Sequence, residues 1–265
     1  GQSQSLNEKK IAASAVSNDA RSRGAIRREP HSVSALFTAV ESNDRKQGSG
    51  RARTLSRDCD GRSISVQTEL NRKERAEHLY RVITSERFLT KQGLGNEVPF
   101  FICPFPAKEG LSIVEDRKDL VTRIAHAGTK VLDINLYDLA LEIMSERDIL
   151  EQVLEVETDS DKSEIKELLQ GILDPHAHLI PKIADAIAAT PHDVIFLSGV
   201  GEVYPYIRSH NVLNNLQSTA KEAPTVLFFP GSYTHALATG ASLDLFGLLH
   251  DDKYYRAFNI LNYEV

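Results

Sequence analysis

Tryptophan is absent from this chain, methionine occurs once, as Met144, and cysteine twice, as Cys59 and Cys103. Two cysteines in unlike surroundings are no disulfide framework, so a reducing, cytoplasmic setting is the expectation. No apolar run approaches the roughly 18 residues that a spanning helix needs, so no membrane association is expected. Gly1-Gln2-Ser3-Gln4-Ser5 is polar where a signal peptide requires an apolar stretch. Catalytic signatures are missing too. Nothing matches G-x-x-x-x-G-K-[ST], which removes the phosphate cradle and lysine of a P-loop ATPase. Gly231-Ser232-Tyr233 follows an apolar run, as a nucleophile elbow does, but lacks the closing glycine of G-x-S-x-G.

What is present is enough for a large core: 265 residues, 41% of them hydrophobic. The net charge of −6 conceals an uneven distribution. Residues 1–70 carry 12 Lys/Arg against 8 Asp/Glu, and residues 71–265 carry 19 against 29. An acidic domain repels phosphate backbones, so nucleic acid is expected only as a weak contact of the basic segment. Residues 1–67 are expected to form a basic, low-complexity extension, flexible in itself or foreign to the domain it precedes. Gln47-Gly48-Ser49-Gly50-Arg51 reads as linker, and only Val33, Leu36, Phe37 and Val40 show helical spacing there.

Residues 68–265 alternate between two periodicities. Helical stripes run through Ala76, Leu79, Val82 and Ile83, through Ile113, Leu120 and Ile124, through Leu139, Ile143, Val153 and Leu154, and through Ile180, Ile183 and Ile187. Between them lie short apolar runs: Val98 to Cys103, Val131 to Leu136, Val194 to Leu197 and Thr225 to Phe229, with shorter ones at Leu243 to Phe246 and Ala257 to Leu261. Strands that are apolar throughout and separated by helices predict an α/β fold: a three-layer, Rossmann-like sandwich around a mostly parallel sheet.

In such folds ligands meet the loops at the carboxyl ends of the strands. Four loops are therefore expected to converge: Pro104-Phe105-Pro106, Asn135 to Asp138, Ser198 to His210, and Pro230 to Tyr233. Gly199 and Gly201 open a dinucleotide fingerprint, but Tyr204 stands where its third glycine belongs, and a tight turn is the stronger reading. Glu202, Arg208 and His210 have the chemistry of an acid, a clamp and a base, or else pair with one another and fix the loop. Asp174-Pro175-His176-Ala177-His178 has an H-x-H spacing, but Pro175 suits a first helical turn capped by Asp174, in which the histidines diverge. Cys103, inside an apolar strand, reads as a packed thiol. The adjacent carboxylates Asp251 and Asp252 are suited to Mg²⁺, although a capped turn explains them more simply. No cofactor or metal is expected. Tyrosine and arginine are typical interface anchors. The candidate partner surface therefore comprises Glu202, Tyr204, Tyr206, Arg208, His210, Asn211, Tyr233, Asp251, Asp252, Tyr254, Tyr255 and Arg256.

These same loops carry a resemblance. Phe196-Leu197-Ser198-Gly199-Val200-Gly201-Glu202-Val203-Tyr204-Pro205-Tyr206-Ile207-Arg208-Ser209-His210-Asn211, with Phe228-Phe229-Pro230-Gly231, Ser242-Leu243-Asp244-Leu245-Phe246-Gly247, Tyr254-Tyr255-Arg256-Ala257-Phe258, Asn96 to Ile102 and Ile134 to Asp138, resembles the BrxB family over roughly Arg72 to Val265. BrxB proteins are small components of BREX bacteriophage-exclusion systems. The resemblance supplies no catalytic residues. It implies a non-enzymatic adaptor that works with other BREX proteins, with the phosphatase-superfamily protein PglZ the favoured partner, in support of host DNA methylation and phage exclusion. Two alternatives remain open. One is a degenerate nucleotide-binding domain using Gly199 to Gly201 and Arg208; the other is a DNA-contacting subunit acting through the basic extension.

Overall fold

A computed structural model describes residues 70–92, 99–236, 240–247, 249–251 and 257–265. The expected extension, residues 1–67, lies outside them, as do Asp252, Tyr254, Tyr255, Arg256 and the side chain of Asp251.

The apolar runs become the strands β1 (Phe100–Phe105), β2 (Val131–Asn135), β3 (Val194–Ser198) and β4 (Thr225–Ala236). Two short strands, β5 (Gly240–Leu245) and β6 (Leu249–Asp251), precede the last, β7 (Phe258–Asn259). The main sheet has the order β2-β3-β4-β1-β7, with every neighbouring pair parallel. Helices α1 (Arg72–Ile83) and α2 (Glu86–Leu89) precede β1, and α3 (Gly110–His126) joins β1 to β2. The β2–β3 crossover holds α4 (Leu136–Glu146), α5 (Leu150–Glu157), α6 (Lys162–Ile172) and α7 (Ile180–Ala189), and α8 (Ser209–Leu216) leads to β4.

Alternation of side chains along each strand divides the core into two layers. Phe101, Cys103, Val194, Phe196, Val226 and Phe228 face Leu79, Phe88, Ile113, Leu120 and Ile124 of α1, α2 and α3. Ile102, Leu132, Ile134, Ile195, Leu197 and Phe229 face Leu139, Ile143, Ile165, Leu169, Ile183 and Leu216 on the opposite side. The expected α/β sandwich is therefore present, and it explains why β1 and β3 are buried almost throughout: both faces are covered. The edge strand β2 departs from this, with Asp133 exposed between buried Leu132 and Ile134. Among the described residues no helix is long and apolar enough to cross a membrane.

One part departs from the sequence reading. β4 does not stop at Phe229; it continues to Ala236, and its second half pairs antiparallel with β5, which pairs antiparallel with β6. The stretch expected to be a capped turn from His250 onward thus begins as a strand, since the backbone of Leu249–Asp251 completes this small meander. Gly231 stands where the two halves of β4 meet. A Cβ there would lie 2.0 Å from the Asp244 carbonyl oxygen, so a side chain would block the pairing.

Local signals set the helix ends. Asn71 starts α1 with a capping box closed by Glu74, and Asp161 and Glu164 do the same for α6. As the sequence suggests, Asp174 accepts from the Ala177 N–H at 2.8 Å, with Pro175 in the first turn that follows.

Candidate functional site

β1 sends its chain onto the α3 face of the sheet, while β2 and β3 send theirs onto the other. The loops part at the carboxyl ends of the strands, and there the structure has an open cavity of about 460 Å³. All four loops singled out in the sequence reach it, through Phe105, through Asn135 and Tyr137, through Ser198 to Glu202, and through Pro230.

Strand alternation decides which side chains face the cavity. Phe196 points toward α3, so Ser198, two residues on, does too, and its register partner Asn135 lies beside it. Asn135 also caps α4, its Oδ1 accepting from the Tyr137 N–H at 2.8 Å. Ser198 is 7% exposed, and its Oγ has no hydrogen-bond partner among the described residues. Phe105 and Phe228 extend the floor, and the first half of α3, from Gly110 to Arg117, forms the wall above. Arg117 is 6% exposed, and its guanidinium donates to Asp133 of β2. The Asp133 carboxyl still titrates above its usual range, because burial outweighs the attraction of Arg117.

The two glycines after β3 are structural, as the turn reading holds. Gly199 has φ +81°, and a Cβ on it would lie 2.3 Å from Asn135 Oδ1. Its carbonyl accepts from the Glu202 N–H at 3.1 Å and the Val203 N–H at 3.2 Å, closing the turn. Gly201 lets Phe246 and Pro230 close in from the hairpin side, each 3.0 Å from where its Cβ would be. The turn leaves Glu202 exposed at the cavity mouth. Surrounding protein displaces part of its water and, with Asp138 nearby, raises its pKa, while Arg117 pulls it down. Burial raises Tyr137 likewise, helped by Glu202 and Asp138.

The expected partner surface divides sharply. Tyr206, His210 and Tyr233 are 4%, 6% and 5% exposed, so they are core residues and not surface anchors. Tyr206 follows Val203 and precedes Ile207, and all three fold inward onto the crossover helices, where Gln170 Nε2 donates to the Pro205 carbonyl at 3.1 Å. Tyr233 turns inward from β4, and its hydroxyl donates to the Ala257 carbonyl at 2.6 Å. Burial lifts both phenols to about 12, with Glu157 adding to the shift at Tyr206. Tyr204 and Asn211 are half-buried, Tyr204 standing edge-on to Phe246 at 6.3 Å. Arg208 is exposed at the start of α8 and is not part of the cavity lining. Among the described residues no ion pair joins Arg208 to Glu202, and the charges nearest Glu202 are those of Asp138 and Arg117. Cys103 is fully buried, and desolvation pushes its thiol up to about 12, the environment of a packed thiol.

Sequence reasoning missed Lys108, Leu111, Arg117 and Ser198 as site residues. Ser198 left a trace, a polar residue ending an apolar strand. Arg117 left none, because a single arginine inside a charged helix reads as solvated. Leu111 is 90% exposed at the rim of the cavity.

Comparisons with known proteins bear on the same region. The family profile described as "BREX protein BrxB" matches residues 132–260. A BREX protein BrxB from Bacillus cereus (strain H3081.97) is 33% identical over 193 residues, covering 71% of this chain and 97% of the relative. One from Escherichia coli O9:H4 (strain HS) is 30% identical over 183 residues, covering 68% and 86%. No solved structure matches. With relatives of 33% and 30% identity matched along most of their own length, and with the profile match containing β3, β4 and the loops that follow β2 and β3, this chain belongs to the BrxB family.

Proposed function

We propose that this protein is a non-enzymatic assembly component of a BREX phage-exclusion system, which holds another BREX protein through its sheet-end loops and so supports host DNA methylation and phage exclusion. Family membership is the ground for placing it in such a system. PglZ is the partner we favour, on the family resemblance alone.

The observation that carries the adaptor reading is Leu111. Scattered exposed leucines are ordinary. This one is 90% exposed in the first turn of α3, at the edge of a concavity whose floor and walls include Phe105, Val114, Phe228 and Phe246. A protein partner that buries a leucine against such a face gains roughly 1.5–3 kcal/mol from that side chain alone. Arg208, exposed at the start of α8 and outside the cavity lining, is a second candidate contact for such a partner.

The test is co-purification of the full chain with each of the other BREX proteins of its system, followed by titration of the best complex. Leu111→Asp is expected to weaken that complex about tenfold or more, and Arg208→Glu to slow its association and alter its salt dependence. Both side chains are exposed, so neither change should shift the melting temperature. Undiminished complexes from both variants would sink the interface assignment.

A further inference from the structure

We propose that the cavity at the carboxyl end of the sheet is a docking site for this chain's own N-terminal extension, which seats Val33, Leu36, Phe37 and Val40 in it and covers Leu111.

Leu111 is the starting point. It is 90% exposed on the rim of a cavity of about 460 Å³, with Phe105, Val114, Phe228 and Phe246 in the lining. A concave apolar face with an exposed leucine at its edge marks a surface that another segment covers. The rim carries charge that the described protein leaves unanswered. Glu202 stands exposed at the mouth and feels the charge of Asp138, itself exposed. Among the described residues neither carboxylate has an ion-pair partner. An occupant that fits is therefore apolar where it enters the cavity and basic where it passes these two groups.

The chain carries such a segment outside the described residues. Val33, Leu36, Phe37 and Val40 recur at the spacing of one helical face. Arg21, Arg23, Arg27 and Arg28 precede them, with Glu29 the one acid between. The extension as a whole is basic and residues 71–265 are acidic, so the two attract.

The place where the extension joins the domain fits as well. The Arg72 guanidinium, at the start of α1, donates to Asp116 at 2.7 Å and to the Ser112 carbonyl at 3.4 Å. Ser112 adjoins Leu111, so the extension meets the domain beside the cavity wall. Roughly 30 residues separate Val40 from that point, and a random coil of that length spans about 30 Å. A segment tethered in this way is present at an effective concentration on the order of millimolar, so contacts too weak for a free peptide suffice. This docking needs no second protein and stands apart from the adaptor reading; a BREX protein that uses the same face has first to displace the extension.

The experiment exploits the absence of tryptophan from the chain. Phe37→Trp in the full chain supplies a single reporter, and Leu36→Trp a second in case the larger ring at 37 hinders docking. A synthetic peptide of residues 21–41 with the same change is the free reference. The reporter in the chain is expected to emit at shorter wavelength than in the peptide and to be quenched by acrylamide several-fold more slowly. Leu111→Asp and Glu202→Lys, both on exposed side chains, should bring emission and quenching back toward the peptide's values while leaving the melting temperature unchanged. Added salt should do so in part, because it screens the arginines from the carboxylates. Both reporters as exposed in the chain as in the peptide overturn the proposal. So does a shielded reporter that neither Leu111→Asp nor Glu202→Lys releases, since the segment would then pack elsewhere.

Discussion

Gly199 and Gly171 make opposite predictions from the same substitution. Gly199 has φ +81°, and a Cβ there would meet Asn135 Oδ1 at 2.3 Å, the atom that caps α4. Gly199→Ala therefore imposes left-handed strain of about 1–2 kcal/mol and an overpacking cost of about 1–3 kcal/mol. A loss of roughly 3 kcal/mol is expected in urea unfolding, together with loss of the cavity's shape. Gly171 lies in α6 with nothing within 4 Å of its would-be Cβ and an ordinary helical φ. Gly171→Ala should stabilise the protein by about 0.5–1 kcal/mol, the usual helix preference for alanine over glycine. Equal effects of the two changes would contradict the close approach of the β3 turn to the start of α4. The first of these glycines announces a turn in the sequence; what it packs against is visible only in three dimensions.

Among the secondary-structure elements, the helices and parallel strands were legible because each carries a complete local signal. Helical periodicity and burial agree for α1, α3 and α7, and a buried apolar run marks β1 and β3. The hairpin end of β4 was not, because Pro230-Gly231 looks like the end of a strand, and pairing with β5 depends on a contact between Gly231 and Asp244 that no local pattern encodes. The seating of α1 was illegible for a similar reason. Arg75, 3% exposed, reaches Glu109 at 2.5 Å, tying α1 to the turn that opens α3 and thus to one wall of the cavity. Arg72, on the same helix, meets Asp116 at 2.7 Å but with its side chain 45% exposed. Removing one partner of a buried pair leaves an uncompensated charge and costs about 3 kcal/mol; an exposed pair is worth about 0–1 kcal/mol. Glu109→Ala is thus expected to lower stability several times more than Asp116→Ala, as measured by denaturant midpoints at constant slope. Similar small losses from both would show that Arg75 finds water when its partner is gone.

For the whole molecule, the sequence foresaw where a site would lie better than which residues would face it. The α/β order placed four loops at one end of the sheet, and they meet there. Yet Tyr206, His210 and Tyr233, which share those loops, turn into the core, since in a continuous loop nothing local distinguishes an aromatic side chain that faces out from one that packs beneath. Their burial has a global consequence. The Cys103 thiol is raised from 9.0 to about 12 by desolvation, and the Tyr206 and Tyr233 phenols from 10.0 to about 12. All three are acids held neutral in the folded state. Below pH 9 each keeps its proton whether the chain is folded or not, and stability is unaffected. Above pH 9 the unfolded chain loses the Cys103 proton, and above pH 10 the two tyrosine protons, while the folded state retains them up to about pH 12. The unfolded state then binds fewer protons, so stability must fall as pH rises. The expected slope is about 1.4 kcal/mol per pH unit from the single thiol, steepening to roughly 4 kcal/mol per unit once all three groups contribute. Urea midpoints at pH 8, 9, 10 and 10.5 should trace this bend. Cys103→Ala should flatten the stretch between pH 9 and 10 and leave the steeper stretch above it. A midpoint constant to pH 10.5 would mean that water reaches these groups in the folded protein, contradicting the two-layer core on which the placement of the cavity depends.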